Sequence, residues 1–116
     1  MDSLIVSRHP AAIKFVAAQI APKGVDMNPQ YSILEDRVVL GQGYEQYSIP
    51  VIASATPSDV AEKRVYGNLP LHLACLAYEV VAVEFDGLPP RGQEYTLEDM
   101  IHAGAKLTAY YVQKVG

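Results

Sequence analysis

The chain has 116 residues, half of them hydrophobic and 19% charged, with a formal net charge of −4. That balance excludes a disordered chain, and the length suits one domain with a modest core that needs neither disulfides nor a structural metal. A net negative protein is also a poor match for long DNA or RNA, which is bound by neutralising many phosphates, whereas a small anion needs only a helix start and one or two arginines.

No run approaches the ~20 consecutive apolar residues of a membrane span. Asp2 precedes the first apolar run where a signal peptide would be basic, so the expectation is a cytoplasmic protein with no membrane partner. Cys75 is the sole cysteine, which leaves no internal disulfide and no multi-cysteine zinc site. No pattern in the chain asks for a metal or an organic cofactor.

Ser3 to Ser7, SLIVS, is a short β-branched run of the kind that forms a strand buried on both faces. RHP follows directly. Pro10 suits a first helical turn, and Ile13, Val16, Ala17 and Ile20 recur at helical spacing, which predicts a helix from about Ala11 to Ala21 stopped by Pro22 and Gly24. From Tyr31 to Asp59 there are two strand-like runs, Arg37 to Leu40 and Tyr47 to Ala53, around a glycine-containing connection, the pattern of a hairpin. Gly41 and Gly43 supply two glycines of a dinucleotide fingerprint, but Gln46 holds the third place and no helix follows, so they read as turn residues.

A short strand near Lys63 to Tyr66 leads into the corner Gly67-Asn68-Leu69-Pro70 and a helix from about Pro70 to Tyr78, with Leu73, Leu76 and Ala77 inward. EVVAVEF, Glu79 to Phe85, is a further strand. Thr96 with Asp99 three residues on resembles a capping box that opens a third helix, with Leu97, Met100 and Ile101 inward and Gly104 at its end. KLTAYYVQ closes the chain as a last strand. Strands alternating with helices predict one α/β domain over residues 1–116, a mostly parallel sheet flanked by helices, with an antiparallel hairpin in its middle segment.

In an open α/β sheet, ligands bind outside the carboxyl ends of the strands. SRHP leaves the first strand there and YGNLP leaves a later one, so Ser7, Arg8, His9, Asn68 and His72 converge if those strands are neighbours. With Asn68 or Leu69 as N-cap, His72 falls in the first turn of its helix. Side chains there lean toward the helix start, and the dipole favours a neutral imidazole until an anion sits beside it. A phosphate would meet the free N–H groups of the same turn. The plain alternatives are a space-filling histidine, a solvated Arg8-His9 loop, and Ser7 as the last strand residue or an N-cap.

Cys75 stands at helical spacing from His72, but no second pair of ligands accompanies them, and it reads as a lone packed cysteine. Asp86, Arg91 and Glu94 follow another strand at the same edge, where Arg91 can hold a phosphate or be an ordinary loop arginine. Tyr44, Tyr47 and Tyr66 can stack on a base or pack a strand.

Three segments taken together, RHPAA at Arg8 to Ala12, GNLPLHLA at Gly67 to Ala74 and LPPRGQEYTLEDMIHAGAKLTAYYV at Leu88 to Val112, resemble a small accessory family of type III CRISPR systems. Its members carry an RHPGA-like motif, a GTLP-x-HLA motif and an RG-x-E-x-[ST]-x-E-[ED]-M tail, and the likeness covers Ser3 to Ala18 and Val65 to Val112. It implies a Rossmann-like domain and a ring nuclease, which opens cyclic oligoadenylate messengers and so switches off the type III response. Residue by residue it points to Arg8, His9 and Pro10, to Gly67, Leu69, Pro70, His72, Leu73 and Ala74, and to Arg91, Gly92 and Glu94. Ala11 stands where the family has glycine and Asn68 where it has threonine, and Gln30 to Asp59 is longer than the family's segment.

The reaction so implied is metal-independent attack of a ribose 2′-hydroxyl on its neighbouring phosphorus in cyclic tetra-adenylate, carried out by a homodimer. Arg8 would stabilise the phosphorane and His72 or His9 would serve as acid or base, with Ser7, Pro10, Gly67, Asn68, Leu69, Pro70 and Arg91 binding the ligand. Two other classes stay open: a non-catalytic protein that senses or sequesters the cyclic nucleotide, and a hydrolase or binding protein for an ordinary nucleotide.

Overall fold

The computed structural model describes residues 2–88 and 95–116. Along them run β1 (Ser3–Val6), α1 (Pro10–Ile20), β2 (Tyr31–Ile33), β3 (Arg37–Leu40), a 3-10 turn (Gly43–Glu45), β4 (Tyr47–Ile52), α2 (Pro57–Val60), β5 (Arg64–Tyr66), α3 (Leu71–Ala74), β6 (Glu79–Phe85), α4 (Leu97–His102) and β7 (Ala105–Tyr110). The strands form one seven-stranded sheet in the order β2-β3-β4-β1-β5-β6-β7. Its centre, β4-β1-β5-β6, is parallel. β7 closes one side antiparallel to β6, and β3 and β2 extend the other as an antiparallel meander from β4. The α/β class and the middle hairpin are therefore present, but the sheet is mixed rather than mostly parallel: three of its six strand pairings, on the two flanks, run antiparallel.

Alternation along the central strands divides the core between two faces. Ile5, fully buried, packs with Val16 and Ala17 of α1, and Phe15 of the same helix meets Met100 of α4. Leu4 and Val65 point the other way, onto Val60 of α2 and Leu73 of α3. One face thus belongs to α1 and α4 and the other to α2 and α3. Pro10 opens α1 at a position where a missing N–H loses no intrahelical bond, and the chain leaves the helix at Ala21, just before Pro22.

The predicted helix over Pro70 to Tyr78 is a single turn. Pro70 is its N-cap, in place of Asn68 or Leu69, and Cys75 its C-cap. The cause lies in the partners of the following backbone: Glu62 N–H donates to the Leu76 carbonyl at 3.1 Å and Tyr78 N–H to the Lys63 carbonyl at 2.9 Å, which draws the chain into β6. Leu71 and Leu76 are exposed, so the apolar spacing that suggested a longer helix is not one buried stripe.

The capping box forms as predicted. Thr96 N–H donates to Asp99 Oδ2 at 2.9 Å, and Asp99 N–H donates to Thr96 Oγ1 at 3.1 Å. The bond from the Thr96 backbone, then that from its side chain, hold the Asp99 carboxyl below its ordinary pKa. A carboxylate depressed on folding contributes fully above its unfolded pKa, and that contribution is lost as pH falls through the folded one. Asp99→Asn should accordingly lower the melting temperature at about pH 7 and lower it less at about pH 3, below the ordinary carboxylate pKa, where part of the contribution is already lost. Thermal melts at the two pH values check this, and equal losses would contradict it.

Candidate functional site

From β1 the chain reaches β4 on one side and later β5 on the other, so the order of the parallel strands reverses at β1. Such a reversal leaves a crevice at the strand exits. Here it holds a cavity of about 280 Å³ on the α1 face, lined by Ser7, Arg8 and His9 from the β1 exit and by Tyr66, Gly67 and Asn68 from the β5 exit. Val83 and Phe85 of β6, Ala12 of α1, and Tyr95 and Met100 at the start of α4 complete most of its wall.

Each polar residue has a local reason for its place. Ser7 N–H donates to the Ile52 carbonyl at 3.0 Å, carrying the β1–β4 ladder one step past the strand. Its Oγ then accepts the His9 N–H at 3.1 Å, which turns the chain into α1. Arg8 is exposed at this turn, and its Nη2 donates to Ser54 Oγ at 2.6 Å beyond the end of β4. His9 is the N-cap of α1, yet no side chain caps the helix and no acidic residue stands in its first turn. The free N–H groups and positive dipole end of an 11-residue helix therefore lie beside Arg8.

The opposite wall is held by the β5 corner. Gly67 N–H donates to the Val81 carbonyl at 3.0 Å. Asn68 Oδ1 accepts the Val83 N–H at 3.0 Å while its Nδ2 donates to the Val83 carbonyl at 3.3 Å, so a side-chain amide continues the β5–β6 ladder where the strand has ended. Asn68 thus clips the wall together. The aromatic side is made by His9 and Tyr95, whose rings lie 5.1 Å apart and 32° from parallel. Burial raises the phenol pKa of Tyr95 and of Tyr66, which keeps both neutral at ordinary pH. No Asp or Glu among the described residues lines the cavity, so its formal charge comes from Arg8 and, when protonated, His9.

Ser7, Arg8, His9, Gly67 and Asn68 are therefore brought together. Pro10 sits beside them as the first residue of α1, exposed and outside the lining. Leu69 packs into the core of the opposite face, and Pro70 is exposed. His72 does not join the cavity: it is exposed on α3, which packs with α2 on that opposite face. With only one turn, α3 also lacks the aligned peptides that make a helix start attractive to an anion, and the start of α1 takes that place. Arg91, Gly92 and Glu94 lie outside the described residues. Asp86 is paired with Lys106 at 2.8 Å, and Tyr44 and Tyr47 are exposed away from the lining.

Tyr95 and Phe85 line the cavity without having been singled out from the sequence. The capping box carried a signal for the first, because the residue before the N-cap commonly packs on the fourth residue of the helix. These are Tyr95 and Met100, which share one apolar cluster. Among the described residues no helix is long and apolar enough to cross a membrane, and no group of three His, Cys, Asp or Glu is placed to hold a metal ion. Comparison with protein-family models, curated proteins and solved structures finds no match for this chain. Fold and site define a small α/β protein with an anion-ready cleft at the exits of its central parallel strands.

Proposed function

We propose that the protein is a Rossmann-like ring nuclease that opens cyclic oligoadenylate, most readily the four-nucleotide ring, by attack of a ribose 2′-hydroxyl. The observation that carries the reading is the meeting of Arg8, His9 and the uncapped start of α1 with the Gly67 corner in one cavity free of acidic lining among the described residues. The 2′-oxygen attacks phosphorus, the bond to the 5′-oxygen breaks, and a 2′,3′-cyclic phosphate and a free 5′-hydroxyl result. The proton lost from the 2′-oxygen balances the one gained by the 5′-oxygen, and no water is consumed. His9, the one imidazole lining the cavity, moves a proton at one of these two oxygens. Arg8 and the N–H groups of α1 stabilise the charge on the phosphorane.

A cavity of about 280 Å³ lies at the small end of ligand sites and suits one nucleotide unit. A larger ring with two-fold symmetry then calls for two copies of the chain about a shared axis. Incubation with radiolabelled cyclic tetra-adenylate in EDTA tests the proposal. Linear product ending in a 2′,3′-cyclic phosphate is expected. A gel shift without product would make the protein a sensor, and neither result would leave only the ordinary-nucleotide class.

A further inference from the structure

We infer that the cavity between α1 and the exits of β5 and β6 is a slot for a single nucleobase, with Tyr95 as its stacking wall, and that the phosphate stays outside against Arg8 and the start of α1. The inference rests on the ligand being a nucleotide, and it assigns which part of that ligand goes where.

Burial separates the floor of the cavity from its rim. Ile5 and Met100 are fully buried and Val16 nearly so, and with Val83 and Phe85 they leave the depth without a charge among the described residues. Arg8 is exposed, and Ser7 and His9 are half-buried. A phosphate pushed onto such a floor would lose its hydration with nothing to replace it, whereas a flat heteroaromatic ring loses little. The charges of the site are at the rim, where the phosphate can keep part of its water.

Tyr95 presents the flat surface. Its phenol pKa is raised by burial. The His9 imidazole lies beside its ring, with centroids 5.1 Å apart and planes 32° from parallel, at the rim of the slot. A base seated beside Tyr95 has its sugar toward the rim where His9 stands, and the phosphate that follows the sugar falls toward Arg8. The same placement explains the two aromatic rings, Phe85 and Tyr66, that converge on a site otherwise built for an anion.

The test compares adenosine 5′-monophosphate with ribose 5-phosphate, which keeps the sugar and phosphate and lacks the base, by calorimetric titration of the intact protein. The nucleotide is expected to bind about tenfold or more tightly than the sugar phosphate. Tyr95→Leu, which preserves the apolar contact with Met100 but removes the ring, should weaken the nucleotide by about 5- to 100-fold and leave the sugar phosphate unchanged. Tyr95→Phe should bind as the parent does. Equal affinity for the two probes, no binding of the nucleotide at about 10 mM, or a folded Tyr95→Leu protein with parental affinity would overturn the inference. If Tyr95→Leu fails to fold, the two probes on the parent protein still decide. Nucleotide binding without ring cleavage would remove the nuclease and leave the slot. Ring cleavage with unchanged KM in Tyr95→Leu would do the reverse.

Discussion

Arg8→Ala is expected to lower the rate of ring opening by about 10²- to 10³-fold, the usual loss when one preorganised donor to a developing anion is removed. The melting temperature should hardly move, because Arg8 is exposed and its bond to Ser54 is a single surface contact. Lysine is expected to restore only part of the rate, since an ammonium supplies charge without the planar fork that spans two phosphate oxygens. His9→Ala should lose about 10²- to 10⁴-fold through the missing proton transfer. His72→Ala, altered on the far face, should retain the parental rate. Single-turnover rates of the four variants, each with its thermal melt, check the set. A fast Arg8→Ala enzyme beside a slow His72→Ala enzyme would move the chemistry to α3.

The second large effect falls on stability. Gly67 has φ of 144°, and a Cβ added there would overlap the backbone carbonyl oxygen of Val6. That oxygen belongs to the last residue of β1, so the clash is with the neighbouring strand exit and no side chain can swing aside. Gly67→Ala combines backbone strain with overpacking, and a loss on the order of 3 kcal/mol is expected, or roughly 10 °C in melting temperature. Gly43 is the matched control: its φ is 62° but nothing lies within 4 Å of an added Cβ. Gly43→Ala should cost only about 1 kcal/mol, the intrinsic penalty of a left-handed residue. Losses of equal size would mean that the two strand exits do not approach as closely as described. The missing side chain at Gly67 is what lets the β1 and β5 exits approach this closely.

Elements with a strong local cause were legible in the chain. β1 and β6 are β-branched runs, α1 begins at a proline, and α4 begins at a capping box whose bonds form as the residues Thr96 and Asp99 predict. Weakly encoded elements were not. β2 is three residues with Ser32 and Ile33 exposed and shows no periodicity, and α2 is too short for one, although its start carries the same kind of capping box as α4, Thr56 with Asp59, with Pro57 at its first position. The overextended helix at Pro70 to Tyr78 failed for a tertiary reason: Glu62 and Lys63 take the backbone groups that a second turn would have used.

The site divides along the same line. That SRHP and YGNLP flank one cleft follows from strand adjacency, and the register Ile5↔Tyr66 supplies it. His72 was misplaced because helical spacing says which residues share a face, not which side of the sheet a short helix covers. Asn68 lines the cleft as its place in YGNLP suggested. Its pairing with Val83 depends on where β5 stops, which a single sequence does not reveal.

The most direct measurement is a backbone amide NMR titration with a ring whose 2′-oxygens are methylated, which binds but cannot attack itself. The largest shifts are expected at Ser7 to Ala12, at Tyr66 to Asn68 and at Tyr95. Shifts centred on His72 and α3, or on the groove beside Gly24 and Gln42 at the far edge of the sheet, with the β1 exit undisturbed, would contradict the assignment of this cleft as the site.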